Sequence, residues 1–305
     1  MILRAHHAAL RVADVQEAAG RWSRLYGLTR SDAAGTTLLR CAYEDFCLEL
    51  RPSDDRGRVE HVAYELREGF ALGDAAARLR AAGSAPEEVE VPVRGSGLRV
   101  TDPDGNAIVL VERVIPDNRL PPVARFTDEL PAFHPRRLQH FNYLTADTPR
   151  IAAWYESALG LQISDWIGDG AVWMHADRDH HVVAFLDKGY SHIHHLAFEL
   201  VDWGEIRVAL DHLAQHRRPI AWGPGRHTMA QNLFAYCRMV EEEVFVELFC
   251  DMERLEPDHE PRFFADDPHG SNAWGILPPR SYFRFDREAV EAELLQLEAQ
   301  QGLRD

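Results

Sequence analysis

The alternation of apolar and polar positions lays this chain out as strands and amphipathic helices that recur in one order. HHAALRVADVQEAAGRWSRLYGL, from His6, and LQHFNYLTADTPRIAAWYESALGL, from Leu138, each read as a strand, an Asp-containing turn, an amphipathic helix with an aromatic pair, and a Gly-Leu stop. VEHVAYELREGFALGDAAARLRAAG, from Val59, and IHHLAFELVDWGEIRVALDHLAQHR, from Ile193, repeat the theme. LRVTDPDGNAIVLVE, from Leu98, and LFAYCRMVEEEVFVELF, from Leu233, close each copy. His7 and His61 lie 54 positions apart, and His140 and His195 lie 55 apart, so the chain is a tandem duplication.

The pattern predicts helices near 14–27, 73–82, 148–159 and 204–216 with strands between them, an α+β fold of tandem βαβββ modules in two similar domains. The expected units are 1–115, a Pro-rich linker over 116–136, a second domain over 137–252, and a covering segment over 253–305. That last segment is irregular, aromatic and proline-rich until a terminal helix with Val290, Leu294 and Leu297 at helical spacing, read as a surface or subunit-contact helix.

Composition narrows the partners. A net charge of −16 and a pI near 5.4 argue against nucleic acid and anionic membrane surfaces, leaving a small molecule. The N-terminus lacks the apolar core of a signal peptide and no run approaches a membrane span, so a cytoplasmic protein is expected. Cys41, Cys47, Cys237 and Cys250 lie in strand-like runs without CxxC spacing and read as reduced, packed thiols.

The repeat ranks the histidines. EHVAYEL over HHLAFEL places His61 on His195, and AHHAALR over LQHFNYL places His7 on His140, while His192 and His194 read as residues at the start of a strand. In the closing strand, Glu247 shares a face with Phe245 and Phe249, and Val244, Val246 and Leu248 line the other. A carboxylate buried there costs several kcal/mol unless a cation meets it. Two imidazoles and one carboxylate on a shared cavity form the facial triad of non-haem Fe(II) oxygenases, which keeps positions open for substrate and oxygen. The first copy has Val109 where the acid belongs, so a metal is expected in the second copy alone.

HFNYLTADTPR from His140, WMH from Trp173, DHHVVAF from Asp179, HHLAFEL from His194 and GPGRH from Gly223 resemble motifs of the type I extradiol ring-cleaving dioxygenases of the vicinal oxygen chelate superfamily. The resemblance is strongest from 138 to 250 and closest to the branch that cleaves homoprotocatechuate or catechol at the 2,3-bond, including the terminal WGILPPRSYF, whose counterpart closes over the active site. It implies paired βαβββ modules cupped around a metal, with His140, His195 and Glu247 as ligands of Fe(II) or Mn(II). It also implies His181 as the acid-base histidine, Asn142, His227 and Tyr236 around substrate and O₂, and Trp173 as an aromatic wall. The substrate class is a catechol, and a homo-oligomer is expected.

Two features depart from the family. Its Asp-Pro-x-Gly-like turn before the Glu is replaced by Met239–Glu243, one residue longer. Relatives acting on acidic catechols place Arg before GPGRH and more Arg before the terminal Trp-Gly, whereas this chain has Trp222 and Ser271–Ala273, so a neutral catechol against Trp173 and Trp222 is predicted. The alternatives are a glyoxalase-like metal-dependent lyase or isomerase, whose ligands usually come from two modules, and a protein that binds an aromatic compound without turnover.

Overall fold

The computed structural model describes residues 1–114 and 133–286 apart from 34, 56 and 268, together with 288, 289, 291, 292, 295 and 299. The expected linker therefore lies outside the described residues up to 132, as do Val290, Leu294 and Leu297 of the terminal helix.

The first copy runs β1 (Ile2–Val12), α1 (Val15–Tyr26), β2 (Thr29–Ala33), β3 (Thr36–Arg40), β4 (Leu48–Pro52), β5 (Arg58–Leu66), α2 (Leu72–Ala81), β6 (Glu87–Val91), β7 (Gly95–Thr101) and β8 (Ala107–Val111). This is βαβββ twice over. The second copy repeats it with β9 (Arg137–Thr145), α3 (Thr148–Trp154), β10 (Gln162–Ile167), β11 (Ala171–His175), β12 (Val183–Asp187), β13 (His192–Glu199), α4 (Trp203–Gln215), β14 (Ile220–Arg226), β15 (Leu233–Met239) and β16 (Val244–Cys250). The fold is α+β, as the periodicity predicts.

Each copy closes into one mixed sheet, β2-β3-β4-β1-β5-β8-β7-β6 and β14-β15-β16-β13-β9-β12-β11-β10. The covering segment adds β17 (Arg262–Phe264) beside β10. The two central strands of each sheet begin the two halves of the copy, which is why the repeated histidines meet at its middle.

Local chemistry starts and stops the helices. Asp14, Asp147 and Asp202 each precede a helix and accept from backbone N–H groups of its first turn. Gly27 ends α1 at φ 67°, a left-handed conformation that a Cβ disfavours. The third predicted helix differs in detail: after Trp154 it widens into a π turn over 155–159 before Gly160. Hydrophobic periodicity does not separate these two windings.

The sheets pack through a shared apolar core in which Tyr64 meets Phe141 edge-on at 5.5 Å and Trp22 approaches Phe198 at 6.4 Å. The unusual 240–243 turn lies at this contact. Its Glu242 is buried against Arg21 of α1, and its strands keep an unbroken register with Tyr236 opposite Glu247. All four cysteines are buried, and none is in a disulfide. Among the described residues no helix is long and apolar enough to cross a membrane.

Candidate metal and substrate site

β9, β13 and β16 lie side by side, and their register sets His140, Ala197 and Glu247 in one row across the sheet. His195, two residues before Ala197, shares that face. The small Ala197 at the centre of the row leaves room above it for the three functional side chains to converge. His140 Nε2 and Glu247 Oε2 are 3.0 Å apart, His195 Nε2 and Glu247 Oε2 3.1 Å, and the two Nε2 atoms 3.4 Å. Neighbouring ligands of an ion with bonds of about 2.1 Å lie about 3.0 Å apart in an octahedron and about 3.4 Å apart in a tetrahedron. The donor set and spacing therefore fit a divalent metal held on one face.

Electrostatics agree with the geometry. Burial alone would push the Glu247 carboxyl up, but His140, His195 and His227 around it hold it well below the usual carboxylate range. Burial takes His195 down to about 4, against the pull of Glu247. An ionised carboxylate that is 1 % exposed thus faces a neutral imidazole, an arrangement a cation completes.

The residues behind the imidazoles fix their tautomers. His194 Nε2 lies 2.7 Å from the Tyr282 carbonyl and so carries its proton there, leaving Nδ1 to accept from His195 Nδ1–H at 2.9 Å. The lone pair of His195 is then on Nε2, facing Glu247. His140 donates from Nδ1 to Gln139 Oε1 at 2.6 Å, with the same result. The remaining Glu247 oxygen accepts from Asn232 Nδ2 at 3.0 Å.

His181 stands over His140 with ring centroids 4.2 Å apart. Burial, with the neighbouring His140 and His180 rings, keeps it neutral far below its ordinary range. Behind it His180 donates from Nε2 to Asp165 at 2.7 Å and accepts from His181 Nδ1–H at 3.1 Å, so His181 presents an unprotonated Nε2. Arg262 of β17 clamps Asp165 through two hydrogen bonds of 2.7 and 2.9 Å.

A cavity of about 420 Å³ opens over the row, lined by Asn142, Trp173, His181, Trp222, His227 and Tyr236 together with the three candidate ligands. The three expected ligands and the six residues expected around substrate and O₂ thus reach one space. Tyr236 donates its hydroxyl to His227 Nε2 at 3.0 Å, while His227 Nδ1 donates to the Ser271 carbonyl at 2.7 Å. Trp222 stacks on Tyr236 at 5.5 Å and donates to the Ile276 carbonyl at 2.8 Å. Asn142 is buried with no partner for its side-chain oxygen among the described residues. Leu277, Pro278, Tyr282 and Phe283 of the covering segment wall one side.

Two expectations need correction. His194 is a positioning residue rather than a bystander at the start of a strand; His192 does stay outside, stacked on Phe285 at 4.0 Å. The first copy also does not lack a carboxylate: Glu49, on β4 rather than the closing strand, lies beside His7 and His61. Gln139, His180, Asn232, Asp165 and Arg262 escape the sequence reading as well. The one available signal is a polar residue directly before each working histidine, as in Gln139-His140, His180-His181 and His194-His195.

Replacing His194 with Phe keeps the aromatic surroundings, since the ring lies against Phe245 at 5.0 Å, but removes the acceptor for His195 Nδ1–H. Metal affinity is expected to fall about 10- to 100-fold, measured by chelator competition. Unchanged affinity would show that His195 needs no such support.

Residues 137–245 match the family model of the Glyoxalase/Bleomycin resistance protein/Dioxygenase superfamily. The chain is 29% identical over 228 residues to metapyrocatechase 2 of Cupriavidus necator, covering 67% of this chain and 70% of that protein. It is 26% identical over 279 residues to the manganese-dependent 2,3-dihydroxybiphenyl 1,2-dioxygenase of Geobacillus genomosp. 3, covering 84% and 87% of the two chains. Homoprotocatechuate 2,3-dioxygenase of Brevibacterium fuscum, in its anaerobic complex with 3,4-dihydroxyphenylacetate, superposes with a TM-score of 0.81 at 25% identity over 92% of this chain and 91% of that one. The duplicated βαβββ sheets give the chain the vicinal oxygen chelate fold, and the segment similar to the glyoxalase/bleomycin resistance protein/dioxygenase superfamily carries His140 and His195, with Glu247 two residues beyond its end.

Proposed function

We propose that this protein is an extradiol ring-cleaving dioxygenase that inserts both atoms of O₂ into a neutral catechol to give a ring-opened semialdehyde. His140, His195 and Glu247 hold Fe(II) in this reading, and the same nitrogen and oxygen donors accept Mn(II). The carrying observation is a neutral His181, its Nε2 unprotonated, standing on the same cavity as a buried carboxylate between two imidazoles. All three donors come from one sheet, unlike a site shared between modules.

The bound metal would lower the pKa of a catechol hydroxyl and bring diol and O₂ side by side. The remaining chemistry falls to the chain. His181 Nε2 takes a proton from the substrate side and returns one as the ring opens, a transfer backed by the His180, Asp165 and Arg262 relay. Burial, with Glu247 nearby, keeps the Tyr236 phenol protonated, so Tyr236 offers a hydrogen bond rather than charge. Trp222 and Tyr282 keep water from that side.

Substrate charge follows from the walls. Among the described lining residues Lys188 is the only lysine or arginine, its amine 4.5 Å from the Phe283 ring, and Asp187, Asp266 and Asp267 share the lining. A substrate carboxylate would meet acids. Trp173, Ile167, Ala171 and Met229 instead form an apolar wall for an alkyl or aryl substituent.

Iron-loaded protein offered an alkylcatechol should consume O₂ and form a yellow semialdehyde. Its kcat/KM should exceed that for homoprotocatechuate at least about 10-fold, since leaving one buried charge unpaired costs more than the 1.4 kcal/mol that a factor of ten represents. A preference for homoprotocatechuate would overturn the neutral substrate. No oxygen uptake with any catechol would overturn the dioxygenase.

A further inference from the structure

The duplication places a second histidine pair at the middle of the N-terminal sheet. His7 and Ala63 occupy the row that His140 and Ala197 occupy in the other copy, with His61 in the place of His195. The imidazoles are set alike: Nε2 to Nε2 is 3.4 Å in both, and the ring centroids are 5.4 Å apart at 81° in one pair and 78° in the other. His7 also has a partner behind it, His6 Nδ1 at 2.7 Å, where Gln139 backs His140 at 2.6 Å.

The carboxylate has moved between strands. Val109 fills the place of Glu247 on β8, while Glu49 projects from β4, on the opposite flank of β1, where the second copy has Ala184. Glu49 is buried, and one of its oxygens lies within 4.8 Å of an imidazole nitrogen of both His7 and His61. Two neutral imidazoles and a carboxylate are again turned toward one point.

We propose that His7, His61 and Glu49 form a second divalent-cation site, noncatalytic, that takes a borderline transition ion such as Co(II) or Zn(II). Such ions suit imidazole and carboxylate donors together. The surroundings deny the site the chemistry of its counterpart. Phe46 stands in the place of His181, 4.6 Å from the His7 ring, so an apolar ring takes the position of the acid-base histidine. Arg99 and Ala9 replace Tyr236 and Asn142.

The site is also weaker by construction. Arg51 grips both oxygens of Glu49 at 2.8 and 3.0 Å and competes with the ion. Arg94, 2.8 Å from His6 Nε2, and Asp45, 3.2 Å from it, pull the His6 tautomer in opposite directions. His61 Nδ1 has no partner among the described residues, because Glu60, in the place of His194, turns to Arg11. An ion here ties β1, β4 and β5 together, so its role is structural.

The test is cobalt stoichiometry by equilibrium dialysis of the full chain, stripped with chelator and titrated with Co(II). Wild type should bind two equivalents, the second more weakly. His61→Leu and Glu247→Gln should each bind one, and the double variant none. The iron-loaded His61→Leu protein should keep wild-type oxygen uptake, because the C-terminal site is untouched. If His61→Leu does not fold, Glu49→Gln takes its place and should lose the same weak equivalent. One equivalent in wild type, or two in the variant lacking His61 or Glu49, overturns the site. Since Glu247→Gln alone must still bind one ion, failure of this proposal is distinguishable from failure of the C-terminal assignment.

Discussion

Glu247→Gln is expected to release the metal and abolish oxygen uptake together while leaving the protein folded. The amide fits the vacated space in one orientation. Asn232 Nδ2 donates to Oε1 at 3.0 Å, so the glutamine oxygen belongs there and its NH₂ falls where Oε2 lies, 3.0 and 3.1 Å from the Nε2 atoms of His140 and His195. The tautomers fixed by Gln139 and His194 make both Nε2 atoms acceptors. The new N–H groups then satisfy the lone pairs that would hold the ion, and the buried charge that favours an ion is gone. The loss of affinity should exceed the about 10- to 100-fold that follows removal of a supporting residue. Metal analysis after desalting, oxygen-electrode rates and a melting curve in chelator check it. Retention of both metal and activity would remove Glu247 from the site, and unfolding in chelator would contradict the satisfied network.

The fold was legible because duplication doubles every signal. Two strands carrying a His at the same repeat position, and a Glu on an apolar strand, are visible without coordinates, and the sheets bring His140, His195 and Glu247 together. His181 is different: it lies in the connection before β12, nothing in its spacing separates it from any other histidine, and only the family resemblance points to it. The residues that tune the site were hidden by bulges. Gln139, His194 and His6 each sit where the ladder slips by one residue, which turns a side chain that alternation assigns to the far face back toward its neighbour. Parity arguments fail at such positions. Glu49 is hidden for another reason: the strand that carries the acid in the second copy holds Val109 in the first, and only the sheet order shows that β4 flanks β1 on the other side. Arg262 comes from a segment with no repeat and no periodicity.

His181→Phe is expected to keep the metal and lose about 10²- to 10⁴-fold in kcat, the range that positioned proton transfer contributes. The first copy supplies the precedent for packing, since Phe46 occupies the equivalent place against His7 at 4.6 Å, close to the 4.2 Å that separates His181 from His140. A phenyl ring therefore fills the space without disturbing the ligand. What disappears is the Nε2 lone pair facing the cavity, and with it the link from substrate to His180 and Asp165. Because the three donors are untouched, metal content and the affinity for the catechol should stay near wild type, so the loss falls on kcat rather than KM. Single-turnover decay of the catechol signal, measured beside metal content, separates the cases. Loss of metal would mean that His181 braces His140, and full activity would move the proton transfer to another group on the cavity, such as His227.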